Sequence, residues 1–254
     1  MNNKPFLNLT PPVIILSNPQ LGENIGAAAR AMKNCGLNDL RIIDPRDGWP
    51  NSKTAPTAVG AIDIIENAKI YETLNDSLND VSFLVSTSAR KRFMNKKIEN
   101  PDIMSNILVS NTLKKIKSAI IFGPESSGLT NNEISASDIV VTVPLDQNFS
   151  SLNLSQAVLI MAWEFHKKFI NSFNIKESKS SSKKNTLINV SSNIKDRELF
   201  YLRLEKLLDN NKFFPTKQMK PKIMRNIKNF FVRAKLTKQE LSTFHGIISA
   251  LDKK

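Results

Sequence analysis

Residues 118–165 read SAIIFGPESSGLTNNEISASDIVVTVPLDQNFSSLNLSQAVLIMAWEF, and this stretch decides the fold class. Two short runs within it, Ala119–Phe122 and Ile139–Val143, are almost wholly apolar, rich in β-branched residues and bounded by breakers. Such runs predict strands buried on both faces, as in a parallel sheet. Each leads into a polar loop, first Gly123-Pro124-Glu125-Ser126-Ser127-Gly128 and then Pro144 to Ser151. A long helix is predicted from about Asn153, because Leu154, Ala157, Val158, Met161 and Phe165 follow the spacing of one buried face. Open α/β sheets bind ligands in the loops at the carboxyl ends of their strands, so these two loops are the first candidates for a site.

Outward from this stretch the chain alternates strand and helix patterns. Val13–Leu16, Leu40–Ile43, Ala68–Tyr71 and Val81–Ser86 read as strands. Between them lie an alanine-rich helix that Asn24 could cap and Gly36 could end, an irregular loop over residues 46–56, and a helix over Thr57–Asn67. A further helix over Asn100–Lys117 leads back into the opening stretch. This alternation predicts an α/β fold built on a mostly parallel sheet. Asn174–Asn193 contains KESKSSSKKN, which lacks apolar periodicity and reads as a solvated linker. Beyond it, Leu199, Leu202, Leu204, Leu207 and Leu208 mark an amphipathic helix, followed by two more over Met219–Leu236 and Lys238–Leu251. The expected organisation is a body over residues 1–173, a Ser/Lys-rich linker over 174–193 and a small basic helical extension over 194–254.

Charge divides the same way. Residues 1–165 hold 15 Lys+Arg against 16 Asp+Glu, whereas residues 166–254 hold 21 against 7. The net charge of +13 over 254 residues is therefore the sum of −1 and +14. A near-neutral body with a basic tail suggests a polyanionic partner such as nucleic acid, the plain alternative being a lysine-rich solvated surface. The single cysteine, Cys35, excludes an internal disulfide framework and a cysteine-based zinc site. Two histidines, His166 and His245, leave little for a histidine metal cluster, so no structural metal is expected. The longest apolar run, Ala157–Trp163, is too short to cross a bilayer, and the first residues lack the basic and apolar regions of a secretory signal. The expectation is a soluble cytoplasmic protein with no membrane partner.

The common phosphate and hydrolase fingerprints are missing. None of the eight glycines form GxGxxG or GxxxxGK[ST], and there is no HExxH, CxxC or GxSxG. Three other constellations stand out, each just after a predicted strand. They are Asn24-Ile25-Gly26-Ala27-Ala28-Ala29-Arg30-Ala31-Met32, then Phe122-Gly123-Pro124-Glu125-Ser126-Ser127-Gly128-Leu129, then Ser150-Ser151-Leu152-Asn153-Leu154-Ser155. In this order they resemble the three motifs of the SpoU (TrmH-like) RNA 2′-O-methyltransferases. Gly36-Leu37, the Ser86-Thr87-Ser88-Ala89-Arg90 loop and the final helical module extend the resemblance, over nearly the whole chain, to TrmJ-type tRNA methyltransferases. TrmJ-type relatives often carry an arginine where this chain has Pro124, while the wider family commonly shows Gly-Pro-Glu.

The resemblance implies a trefoil-knotted α/β fold of the SPOUT class, a homodimer, S-adenosylmethionine as cofactor and tRNA as substrate. The implied reaction is 2′-O-methylation of the pyrimidine ribose at position 32 of the anticodon loop. By motif position, Thr87, Ser88, Ala89, Gly123, Val143, Ser150, Ser151 and Leu152 would form the cofactor site. Arg30 falls at the catalytic position, with Ser151 nearby and Asn24, Asn153 and Glu125 in support. Arg30, Arg90 and Arg92 are the RNA-binding candidates. Each has a plainer reading. Arg30, Arg90 and Arg92 could be solvated surface, Glu125 could cap the helix after Leu129, and Ser150 or Ser151 could cap the helix after Asn153. Met161, Trp163 and Phe165 are expected in the core, and Cys35 as a small buried hydrophobe. Two rivals remain: ribose methylation of another tRNA position or of ribosomal RNA, and a non-catalytic RNA-binding protein.

Overall fold

The computed structural model describes residues 9–89, 96–146, 148–177 and 192–252. In chain order its elements are β1 (Val13–Ser17), α1 (Gly22–Asn34), β2 (Leu40–Ile43), α2 (Thr54–Thr57), α3 (Ile62–Glu66), β3 (Lys69–Tyr71) and α4 (Leu74–Ser77). There follow β4 (Phe83–Thr87), β5 (Ile98–Glu99), α5 (Pro101–Leu113), β6 (Ser118–Phe122), α6 (Asn131–Ala136), β7 (Ile139–Val141) and α7 (Leu154–Glu177). The chain then forms α8 (Ile194–Asn210), α9 (Lys220–Ala234) and α10 (Lys238–Leu251).

Seven strands form one sheet in the order β3-β2-β1-β6-β4-β7-β5, and every pairing is parallel. Successive strand residues point to opposite faces, and both faces are covered. Ile14, Leu16, Val85, Ile120, Phe122 and Val141 pack with α1, α5 and α7 on one face. Val13, Ile15, Leu84, Ala119, Ile121 and Val140 pack on the other with Leu78, Val81, Leu129 and Ile134. This is why β1, β6 and β7 read as unbroken apolar runs. β1 lies between β2 and β6, so the chain departs in opposite directions from β1 and β6 and leaves a crevice between their carboxyl ends.

The expected strands are present, with bounds shifted by one or two residues. The helix expected over residues 57–67 is two short helices, α2 and α3, because Gly60 takes φ +76 between them. The short elements β5 and α4 carry too little pattern to be read in the sequence. Asn24 does not cap α1; Leu21 occupies that position without a side-chain bond, and Asn24 lies inside the first turn. Nor does Glu125 cap α6, where Thr130 and Glu133 form a capping box. Neither Ser150 nor Ser151 caps α7; Asn153 Oδ1 accepts from the Ser155 N–H at 2.9 Å. Trp163, expected in the core, is 52% exposed on α7. Cys35 is buried as expected, and burial pushes its thiol up to about 11.

The helices after residue 192 have a core of their own, in which Phe200, Tyr201, Leu207, Leu241 and Ile248 pack with Phe231 and Phe244. They also dock on the sheet. Ile194 joins the second core face, and its N–H donates to Val81 O at 3.0 Å. Arg197, 6% exposed, donates to Asp138 at 2.8 Å, while the other Asp138 oxygen accepts from Leu84 N at 2.8 Å. Val81, Leu84 and Asp138 stand at the amino ends of β4 and β7, so α8 docks at the edge of the sheet away from the strand carboxyl ends. The leucine stripe located α8 without identifying its buried side. Leu199 and Leu202 are exposed, and Arg197, Phe200 and Tyr201 are buried.

Candidate active site

A cavity of about 240 Å³ opens at the carboxyl ends of β4, β6 and β7. Thr87, Ser88 and Ala89 form one wall and residues 122–129 another. Val141, Val143, Leu145 and Ser150–Leu152 form a third, and Leu154, Ala157 and Met161 of α7 close the base. All eight residues expected at the cofactor site line this cavity. Phe122, Leu129, Leu145, Leu154, Ala157 and Met161 line it as well and were not singled out for a site. Met161 and Leu154 were legible only as the buried stripe of a helix, and here that stripe is also a cavity wall.

Local bonds shape these walls. Thr87 Oγ1 donates to Ile121 O at 3.0 Å, and the Ser88 N–H donates to Val141 O at 3.0 Å, fastening the end of β4 to both neighbours. The loop after β6 folds back on itself, with Gly128 at φ +67 and its N–H donating to Pro124 O at 2.8 Å. A Cβ on Gly123 would lie 2.3 Å from Leu129 N and 2.4 Å from Gly128 C, so only glycine lets these backbone segments touch.

Beside the cavity, three distant parts of the chain meet in one hydrogen-bonded series. Glu125 Oε2 accepts from the Gln20 N–H at 3.0 Å, and Oε1 accepts from Asn24 Nδ2 at 2.6 Å. Asn24 Oδ1 accepts from Asn153 Nδ2 at 2.9 Å. Asn153 Oδ1 in turn accepts from the Ser155 N–H and from Ser155 Oγ at 2.7 Å. An ionised carboxylate only accepts, so Glu125 turns the Asn24 amide one way round and presents its oxygen to Asn153. Glu125 sits where the crevice between β1 and β6 opens, which is how a residue after β6 reaches the start of α1.

The structure thus brings together Glu125, Asn24 and Asn153, and places Ser151 and Glu125 on the cavity wall. Arg30 lies on the exposed side of α1 and does not line the cavity. Arg90 and Arg92 lie outside the described residues. Lys96, just after them, donates through Nζ to Ser135 O at 2.9 Å and Ser137 O at 2.5 Å. Burial lowers its ammonium to about 8; Asp138 opposes the shift, and Arg197 and Arg233 add to it. Among the described residues no group of His, Cys, Asp and Glu is arranged to hold a metal ion. No helix among them is long and apolar enough to cross a membrane.

Residues 11–163 match the model of the SpoU rRNA methylase family, and residues 195–254 match that of the C-terminal domain of the tRNA methyltransferase TrmJ. The chain is 30% identical over 245 residues to the tRNA (cytidine/uridine/adenosine-2′-O-)-methyltransferase TrmJ of Pseudomonas aeruginosa, covering 94% of this chain and 93% of that one. It is 33% identical to TrmJ from Z. mobilis ZM4, whose crystal structure superposes with a TM-score of 0.83 over 95% of this chain and 99% of that one. The fold is also shared with the SpoU methyltransferase AviRb from Streptomyces viridochromogenes, solved in complex with AdoMet, at 16% identity and a TM-score of 0.50 over 65% of this chain and 63% of that one.

Proposed function

The chain belongs to the SpoU rRNA methylase family, and from that premise we propose that it methylates the ribose 2′-oxygen of a pyrimidine at position 32 in the tRNA anticodon loop. The observation that carries the reading is the series Glu125–Asn24–Asn153, which joins the three motifs at the rim of the cavity. In this reading S-adenosylmethionine occupies the cavity. Its lining fits such a ligand: a cradle at Gly123 that a Cβ would fill, hydroxyls at Thr87, Ser88, Ser150 and Ser151, and apolar walls from Leu129, Val143, Leu145 and Met161. When bound, the cofactor would supply a methyl group on a sulfonium, whose C–S bond would break in line as the ribose oxygen takes the methyl, with the neutral thioether as leaving group.

The protein's own residues then have three tasks. The loops after β4, β6 and β7 enclose and orient, which is the largest contribution available to a displacement of this kind. The Glu125–Asn24–Asn153 series fixes the start of α1 against the start of α7. Arg30 grips a phosphate beside the target and stabilises the developing alkoxide, since a guanidinium keeps its proton and presents a bidentate fork. The proton leaves to that phosphate or to water.

The reading includes a homodimer. Leu159, Trp163 and Ile170 form an exposed apolar stripe on α7 with relative exposures of 43%, 52% and 37%. A second copy seated on this stripe would bury it. The trefoil knot is part of the same proposal, supported by the first turns of α7 lining the cavity that the loop after β6 encloses. So is the division into a body over 1–173, a linker over 174–193, into whose first residues α7 runs as far as Glu177, and a basic helical extension over 194–254, whose α9 carries Lys220, Lys222, Arg225, Lys228 and Arg233.

Nucleoside mass spectrometry of tRNA incubated with the protein and S-adenosylmethionine tests the proposal, with Arg30→Ala alongside. A new 2′-O-methylated pyrimidine mapping to position 32, lost in the variant, is the expected result. Cofactor binding with methylation only of ribosomal RNA would move the substrate. No cofactor binding would leave a non-catalytic RNA-binding protein.

A further inference from the structure

Glu133 lies in the first turn of α6 and outside every candidate list drawn from the motifs. Its Oε2 accepts from the Thr130 N–H at 2.6 Å and from Thr130 Oγ1 at 2.7 Å, and the Glu133 N–H donates back to Thr130 Oγ1 at 3.2 Å. That closes an ordinary capping box, which needs one carboxylate oxygen. The other oxygen, Oε1, accepts from Ser17 Oγ, 116 positions away. Ser17 is the last residue of β1 and 2% exposed. The rival acceptor for its hydroxyl, Asn18 Oδ1, lies farther off at 3.2 Å.

Two glutamates therefore bind the same two loops. Glu125 ties the near part of the loop after β6 to Gln20 and Asn24. Glu133, through Thr130, ties its far end to Ser17. Between the two ties run residues 126–129, which line the cavity and include Gly128 in the left-handed region. With one tie the loop could pivot; with two it has one setting relative to the β1–α1 connection.

We propose that Glu133 is a positioning residue, which with Ser17 holds the loop after β6 at the spacing that lets Glu125 reach Gln20 and Asn24. The functional consequence, tighter cofactor binding, rests on the reading of the cavity given above. The mechanical part does not.

Ser17→Ala separates this role from capping, because it leaves the Thr130–Glu133 box whole. The first measurement is hydrogen–deuterium exchange of the 123–130 amides in the full chain without ligand. Ser17→Ala and Glu133→Gln are each expected to speed exchange there about tenfold, and the double variant no further than Glu133→Gln alone. Thr130→Val breaks the side-chain cap but leaves the Ser17 contact, so it should lower the melting temperature and change this exchange less than threefold. The second measurement is S-adenosylmethionine titration by calorimetry, where Ser17→Ala should raise Kd about tenfold. Unchanged exchange in both Ser17→Ala and Glu133→Gln overturns the proposal, and so does faster exchange with an unchanged Kd. A parent protein that binds no cofactor, with exchange still faster in the variants, sinks the reading of the cavity and leaves the loop tie standing.

Discussion

Gly123→Ala should disable the candidate site while leaving the chain folded. A Cβ at this position would stand 2.3 Å from Leu129 N, 2.4 Å from Gly128 C and 2.9 Å from Leu129 Cα. Ordinary contact begins near 3.4 Å, so the 128–129 backbone must retreat by about 1.1 Å, the difference between that limit and the shortest contact. All three obstacles are backbone, so no side chain can swing clear. Leu129 is 2% exposed in the second core face and cannot withdraw freely. The loop then shifts, carrying Glu125 away from Asn24 and Gln20, whose bonds now measure 2.6 and 3.0 Å. Overpacking of this kind costs about 1–3 kcal/mol, a fall of several degrees in Tm. A 1 Å misplacement of positioning groups costs on the order of 10²-fold in kcat/KM. The assay is transfer of labelled methyl from S-adenosylmethionine to tRNA, with calorimetric cofactor binding and a melting curve. Gly246→Ala in α10 is the control, since an added Cβ meets nothing within 4 Å and should stabilise by up to about 1 kcal/mol. A Gly123→Ala enzyme within threefold of the parent in both binding and turnover would refute the steric reasoning.

Other perturbations separate the remaining parts. Arg197→Met strands the Asp138 carboxylate, so the chain should lose about 3–5 kcal/mol in urea titration; a loss below 1 kcal/mol would show that the pair does not hold α8. For the dimer proposed above, Trp163→Glu should leave the chain folded and shift sedimentation from the parent's value to that of a monomer, because it charges the middle of the exposed α7 stripe; sedimentation equal to the parent's would count against that dimer face. Lys96 gives a pH signature. Burial holds its ammonium at about 8, against about 10.5 in the unfolded chain. Between those values the unfolded state binds more protons, so stability rises with pH across the window and the burial penalty is fully present below pH 8. Relative to Lys96→Met, the parent should gain about 1–3 kcal/mol between pH 7.5 and 10; parallel pH profiles for the two would count against it.

The sheet was legible because its central strands are buried on both sides. β1, β6 and β7 are apolar at every position but the terminal Ser17 and Ser118, and short unbroken runs between breakers are hard to mistake. Contacts between distant residues were not legible from the chain's own pattern; the resemblance alone names Asn24, Glu125 and Asn153 as a group, without their partners. Glu125 follows Gly-Pro and looks like a helix cap, but its partners lie 105 and 101 positions away and meet it only because β1 and β6 are neighbours. Arg197 looked like one more cation in a basic extension, yet it is buried against Asp138, 59 positions away. Trp163 follows helical spacing closely enough to pass for core. Its exposure shows that the apolar arc of α7 is wider than the part packed on the core.

These misses share a physical cause that bears on how the site works. Periodicity reports which side chains leave water; it is silent on which polar groups lose water together. Asn24, Glu125 and Asn153 are each unremarkable in their own element, and an exposed carboxylate or amide after a turn ordinarily faces solvent. What changes their character is the divergence of the connections that leave the parallel neighbours β1 and β6, which brings the start of α1 under the loop after β6 and the start of α7 beside both. Once there, a carboxylate that only accepts turns the Asn24 amide, and that amide turns the next. The order of the three groups follows from donor and acceptor chemistry without further contacts. Replacing Glu125 by Gln therefore tests the series at its source. A glutamine offers one acceptor oxygen where two are needed, so either the Gln20 N–H or the Asn24 amide loses its partner, and the fault should pass to Asn153. If Glu125→Gln and Asn153→Ala each lower kcat/KM by about tenfold or more and the double variant is no worse than the poorer single one, the series acts as a unit; independent, multiplying losses would show that it does not.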